Sequence, residues 1–404
     1  MQARYSYSLI FSFLLLCAVN SYSQQTLNTQ VVAKRSYGMY LKQQWPELIA
    51  YGDSVLKLGY DYYYIRMRMG IAYFELKKYR LAEPHFKKAI EFNAQEDLAY
   101  EYLYYIYVYT DRFEESRKLT KKFSATLKQK LQSDSLPKVE YRFAEAGEKI
   151  SNNTETPNAT YVQLGLGHNI ANNFSLLHAY TYYGQGNNEW KINQNQYYIR
   201  ANFPMKNNFM LSGAFHFVER STALFSNTGN FTGSTKPSSV LFTYNYVESI
   251  LLRKSFERFD ASLGSTVLWL DSVFQFQHNA MINYFPLGNN KLGIGANVYL
   301  YTRDAYSSVN FVFVPFVSFK PLQKLSLFGS YLLNSGYNNI AEWNGYVVNN
   351  SPDLTTGKLT LNADWTINKK WDLYATYQYE NKQLFATTTE YQFNSIFVGI
   401  KFKP

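Results

Sequence analysis

A change of hydrophobic period at Pro137 divides this chain into two parts that cannot share one architecture. Before it apolar residues recur at helical spacing, and after it they recur at every second position almost to the C-terminus. In Phe174, Leu176, His178, Tyr180 and Tyr182 one register is bulky, while the intervening Ser175, Leu177, Ala179, Thr181 and Tyr183 are smaller or more polar. The same alternation runs through Phe209, Leu211, Gly213, Phe215 and Phe217, and through Val240, Phe242, Tyr244 and Tyr246. It returns in Phe274, Phe276, His278, Ala280 and Ile282, and in Trp371, Leu373, Ala375, Tyr377 and Tyr379. Only strands, whose side chains point alternately to opposite faces, sort residues in this way.

Fourteen strands are expected, near 138–147, 158–169, 174–183, 190–203, 208–218, 238–251, 257–270, 272–285, 291–302, 308–320, 324–333, 355–367, 371–381 and 388–402. A miscount by one hairpin would give roughly 12 or 16. Strands of about 10 residues suit a bilayer, which a tilted strand crosses in roughly 9 to 11. Compact turns such as Ala171-Asn172-Asn173, Pro286-Leu287-Gly288-Asn289-Asn290, Lys320-Pro321-Leu322-Gln323 and Asn368-Lys369-Lys370 alternate with longer loops at 219–237 and 334–354. That asymmetry predicts an antiparallel outer-membrane β-barrel, its first strand rising from the periplasm, with the helical segment and the C-terminus on that side. A soluble sandwich would also alternate. Against it stands the crowding of aromatics at strand ends, among them Tyr182, Tyr183, Trp190, Tyr197, Trp269, Tyr299, Tyr301 and Trp371, as in an interfacial girdle. The last strand carries Tyr391, Phe393, Phe397 and Phe402, an aromatic assembly signal that here ends on Pro404.

Within the segment 24–136, Trp45, Tyr79 and Phe113 are equivalent positions of an internal repeat. The middle unit places Gly70, Tyr73, Ala82, Phe86 and Ala89 where the small and aromatic residues of a tetratricopeptide repeat stand. Small residues let two antiparallel helices approach, and aromatics fill the space between units. Three units are expected, the outer two degenerate as capping repeats are. The first helix of each unit would line a groove for a partner, with Tyr64, Met67, Ile71 and Phe74 from one unit and Glu101, Tyr105 and Val108 from the next.

The segment 1–23 reads as a secretory signal, with Arg4, an apolar Leu9 to Val19 and a Ser21-Tyr22-Ser23 cleavage site. The one cysteine, Cys17, leaves with it, so the mature chain has neither disulfides nor thiolate chemistry. Aromatics at 18% and charged residues at 17% exclude a disordered chain. No later apolar run reaches the roughly 18 residues of a spanning helix, so any membrane crossing must be by strands.

A tetratricopeptide segment leading into a C-terminal barrel resembles the exporters of extracellular polysaccharide that join periplasmic repeats to a porin, and loosely the YaiO-type outer-membrane barrel family. The Ser23-Gln24-Gln25 junction and the richness in Tyr and Asn look like an exported protein of the Bacteroidetes group. The resemblance implies a non-enzymatic protein of the outer membrane. Its repeats would recruit a periplasmic protein or polysaccharide partner, and its barrel would export a polymer or anchor an envelope complex.

Neither cofactor nor metal is expected, because His85, His168, His178, His216 and His278 lack ligand spacing. Charge is spread, +5 over residues 24–136 and +4 over 138–404, which is no nucleic-acid stripe. A second reading is a porin whose repeats are a periplasmic plug. A third is a barrel hydrolase of lipid or glycan, with His278 and Asp271 serving Ser262, Ser265 or Ser272.

Overall fold

The computed structural model describes residues 28–133, 138–170, 174–225, 237–303, 308–385, 387 and 389–404. The expected signal segment with Cys17, the boundary residue Pro137 and the turn expected at 171–173 lie outside the described residues.

Among the described residues seven helices come first: α1 Thr29–Leu41, α2 Trp45–Lys57, α3 Tyr63–Glu75, α4 Tyr79–Phe92, α5 Asp97–Tyr109, α6 Phe113–Thr120 and α7 Ala125–Leu131. The starts of α1, α3 and α5 are evenly spaced, and those of α2, α4 and α6 follow at the same interval. Each pair turns at a left-handed residue, Gln43, Lys77 or Asp111, which repeats at that interval too. None of the three is glycine, so the period is visible in the backbone and hidden in the composition. Asn28 caps α1 by accepting from Gln30 N, and Ser124 caps α7 by accepting from Leu127 N. Gly70 lets α3 and α4 approach so closely that a Cβ there would lie 2.9 Å from the Phe86 ring. Around that contact Met67, Ile71, Ala82, Phe86, Ala89, Ala99, Leu103, Ile106 and Tyr107 form the helical core.

The fourteen strands are β1 Val139–Ser151, β2 Ala159–Ile170, β3 Phe174–Gly186, β4 Trp190–Pro204, β5 Phe209–Leu224, β6 Ser239–Ser255, β7 Phe259–Leu270, β8 Val273–Tyr284, β9 Leu292–Arg303, β10 Ser308–Leu322, β11 Leu325–Glu342, β12 Val347–Thr366, β13 Trp371–Gln383 and β14 Glu390–Phe402. Each pairs antiparallel with its neighbours, and β1 closes on β14, with Ala144 opposite Ile400. Closure leaves no free edge.

All five bulky registers of the sequence face outward. On β7, Leu263 is 68% exposed, while the inward Ser262 and Thr266 beside it are buried. On β3 the outward Tyr180 is exposed and the inward Ser175, Ala179 and Thr181 are buried. The interior is polar at Gln163, Asn245, Gln275, Gln277 and Asn297, all buried.

Two details depart from expectation. β5 runs on to Leu224 and β6 begins at Ser239, so the connection expected at 219–237 is shorter. Most of 334–354 is strand, because β11 and β12 extend to a hairpin turn at Trp343–Tyr346. The C-terminal aromatics also divide: Tyr391 and Phe393 are buried inward, whereas Phe402 sits on the other register beside Trp371.

Candidate functional site: a lumen closed from two directions

The helical domain is seated on the barrel mouth where the strands are joined by short turns, and one arginine fixes it there. Arg80, second residue of α4 and 1% exposed, donates from both Nη atoms to the Asp260 carboxylate on β7, at 2.9 and 3.0 Å. It also donates from Nε to Asn290 Oδ1 (3.1 Å) and from Nη1 to Phe256 O (3.2 Å), and it lies 3.7 Å from the Phe285 ring centre. Its backbone N–H donates to Gly288 O at 2.9 Å. A planar fork meeting a carboxylate edge-on is the arrangement for which arginine, not lysine, is suited.

A second anchor lies one turn along α4. Glu83 accepts from Arg112 (2.6 Å), Lys87 (2.6 Å) and, across the interface, Asn208 Nδ2 at 2.9 Å. Burial pushes the Glu83 carboxyl up, but Arg112 and Lys87 outweigh that and hold it down at about 2. Arg112 is held in turn by Glu115 at 3.0 Å. Further around the rim Lys118 donates to Pro204 O, Asp111 pairs with Lys320, Glu114 accepts from Ser175, and Arg117 pairs with Glu140. His85, stacked on Tyr73, is pushed down to about 4, chiefly by burial and then by Arg66.

From the opposite mouth the β11–β12 hairpin folds inward. The ladder between these strands shifts register at Leu333/Tyr337 and again at Tyr337/Asn339, and such irregularities let a strand pair bend away from its wall. Its turn puts Trp343, Asn344 and Gly345 successively at positive φ. Inside, Gln277 of β8 bonds both the N–H and the carbonyl of Ala341, at 3.0 and 2.6 Å. Tyr198 of β4 and Ser249 of β6 donate to Asn344 O at 3.2 and 2.9 Å, and a His216 ring nitrogen is 2.8 Å from Gly345 O. The Tyr346 hydroxyl donates to Gln163 of β2. An apolar underside, Ala341 with Val348, rests on Val247, Leu268 and Leu270. The hairpin thus bonds to walls on both sides of the lumen, from β2 to β8.

Beneath the helical domain, against the barrel wall, remains a cavity of about 330 Å³. Phe113 and Glu114 of the cap and Tyr141, Leu177, Arg200, Asn202, Met210, Ser212, Leu251 and Arg253 of the wall line it.

The residues expected to line a partner groove are spread over different settings. Met67 and Ile71 are buried in the helical core and so are unavailable to a ligand. Phe74 is packed among Tyr79, Tyr102 and Tyr109. Tyr64 is exposed, edge-on to Tyr63 and beneath the Arg68 guanidinium. Glu101 pairs with Lys130, Tyr105 stacks on Tyr109, and Val108 is half-buried. Of the repeat-signature positions, Gly70, Ala82, Phe86 and Ala89 are core, while Tyr73 packs against it. The imagined triad does not assemble. Ser265 and His278 are 2.9 Å apart on the outer face, Ser262 points inward, and Asp271 is a turn residue bonded to Arg220. Among the described residues no cluster of metal-ligating side chains is present.

These elements define a class: a closed antiparallel barrel of fourteen strands, apolar without and mixed within, where many buried polar side chains stand beside apolar clusters, carrying a docked helical domain on one mouth. No family model and no curated protein sequence matches the chain. Among solved structures the barrel is similar to the CymD monoaromatic hydrocarbon channel, with a TM-score of 0.46 and 7% identity over 69% of this chain and 91% of that one. It is similar to the Ralstonia pickettii toluene transporter TbuX (TM-score 0.45, 8% identity, 66% of this chain and 90% of that one). A third is the KdgM porin in complex with disordered oligogalacturonate (TM-score 0.32, 10% identity, 65% and 99%).

Proposed function

We propose that the protein is a channel of the bacterial outer membrane, with its helical domain on the periplasmic side as a plug and the β11–β12 hairpin as a second constriction. The observation that carries this reading is the inverted barrel. Large apolar side chains such as Leu164, Leu263, Val309 and Ile396 stand outward and exposed around an interior with many buried polar side chains. In water that surface would far exceed the apolar patches soluble monomers tolerate, whereas in a bilayer it is the ordinary lipid face. The short-turn mouth, which carries the helical domain, corresponds to the periplasmic end of such barrels.

The even spacing of the helix pairs supports a tetratricopeptide-like origin for the plug, and the exposed Tyr64 with Tyr105 remains its candidate partner face. Polymer export through recruitment of a periplasmic partner is therefore a further reading. The doubly closed lumen favours the channel first.

Two closures in series predict a specific conductance pattern. The intact chain in planar bilayers should be nearly silent, and Arg80→Ala alone or Gln277→Ala alone should give only rare steps. The two substitutions together should give frequent large ones. Large steady steps from the intact chain would make the closures irrelevant, and silence from the double variant would leave a filled anchor instead of a channel.

A further inference from the structure

We propose that the chamber beneath the helical domain is a binding site for a small organic anion, one with an oxyanion head and an apolar body. Two guanidinium groups, Arg200 of β4 and Arg253 of β6, face into it. Among the described residues neither is paired with a carboxylate, and Arg200 Nε is buried without an acceptor. The acids that share the chamber are already engaged. Glu140 is paired with Arg117, Glu114 accepts from Ser175 at 3.0 Å with Arg117 nearby, and Asp111 is paired with Lys320 at 2.6 Å.

Both guanidinium groups are half-buried and, among the described residues, have no carboxylate partner of their own, so together they offer a place for an anion. Guanidinium groups select oxyanions because their paired N–H donors match two oxygens at once. The remaining wall decides what else the ligand carries. Phe113, Leu177, Met210 and Leu251 give it an apolar side, and about 330 Å³ is at the small end of ligand cavities. Opposite them Ser212 donates to Asn202 (2.8 Å), Asn202 to Ser175 (3.3 Å) and Ser175 to Glu114, a chain that ties the chamber wall to the cap. Tyr198, whose hydroxyl holds the hairpin at Asn344, also meets the Arg200 guanidinium. A ligand seated on Arg200 therefore lies against the helical domain and is one side chain, Tyr198, away from the hairpin.

The inference rests on the channel reading only for the ligand's route. Binding is read in solution, so a silent bilayer leaves this test standing, and failure here leaves the conductance test standing. The probe is 4-fluorobenzoate, followed by fluorine NMR with the full mature chain in detergent micelles, beside its neutral isostere 4-fluorobenzamide. Saturable broadening is expected for the benzoate and not for the amide, with displacement by a hundredfold excess of inorganic phosphate. Arg200→Gln with Arg253→Gln should weaken benzoate at least tenfold while the barrel keeps its heat-modifiable mobility on gels. Equal broadening by benzoate and amide, or benzoate that phosphate does not displace, would overturn the proposal on the unaltered chain alone. Undiminished binding by the folded double variant would overturn it independently.

Discussion

Replacing Arg80 by alanine tests whether the helical domain is held to the barrel by one desolvated ion pair or by the breadth of the rim. The substitution removes a two-pronged bond to Asp260, single bonds to Asn290 and Phe256 O, and the contact with the Phe285 face. It also leaves Asp260, whose side chain is only 12% exposed, as an unpaired carboxylate. Breaking a buried pair in this way costs about 3 to 5 kcal/mol, most of it from the stranded charge. The Glu83–Asn208 anchor and the outlying contacts of Lys118, Asp111 and Arg117 survive, so the domain stays tethered and opens more often instead of falling away. The assay is amide hydrogen exchange at the seam, above all at residue 80, whose N–H donates to Gly288 O at 2.9 Å. Where exchange follows opening, that energy is a rate increase of between roughly a hundredfold and a few thousandfold. Asp260→Asn in the Arg80→Ala background should then add little, because the charge it removes is already stranded. An increase under tenfold, or effects of the two substitutions that simply add, would refute the argument that the Arg80–Asp260 pair is the dominant anchor.

Three further outcomes are expected. Between pH 6.5 and about 4 the unfolded chain protonates His85 while the folded helical domain holds it neutral, so the domain should lose stability as pH falls, by about 3 kcal/mol over that window. Glu83, held near 2 in the fold, extends the loss in the same direction below pH 4.5; circular-dichroism melts across pH would show both arms, and His85→Gln should abolish the upper one. Gly70→Ala should cost about 1 to 3 kcal/mol of helical-domain stability, since the new methyl meets the Phe86 ring at 2.9 Å, and an unchanged melt would mean that the helices separate freely. Leu263→Arg on the outward face should cost roughly 2 to 4 kcal/mol of folding into bilayers, while inward Gln378→Arg is tolerated; equal folding of the two would remove the lipid face and favour a soluble barrel.

The parts of this molecule legible in the sequence are those that a local period encodes. All fourteen strands fall on the segments where alternation puts them, although β5, β11 and β12 run beyond, because one face meets a uniform surrounding and must be apolar along it. The six helices of the three pairs are likewise legible from a recurring aromatic, although only one unit has the small residues that explain why its helices can touch. The groove is less so. A helical period reports that Met67 and Ile71 are on an apolar stripe but not whether that stripe faces a neighbouring helix or an open surface, and both are core.

What periodicity does not disclose is how the lumen is closed. Residues 334–354 read as a loop because they do not alternate, yet much of the segment is paired backbone. The hairpin lies within the lumen, where neither face meets lipid, so no register need be apolar. Besides the small apolar contact of Ala341 and Val348, it is held by single polar groups from separate strands, Gln163, Tyr198, His216, Ser249 and Gln277, each ordinary in its own segment. The cap follows the same rule, with Arg80 and Asp260 meeting across 180 residues of sequence. The wall is thus specified by a repeated apolar pattern, and the two closures chiefly by a few long-range polar contacts. A barrier made that way can be released by breaking a handful of bonds while the barrel remains intact, which is the energetic separation a gate requires.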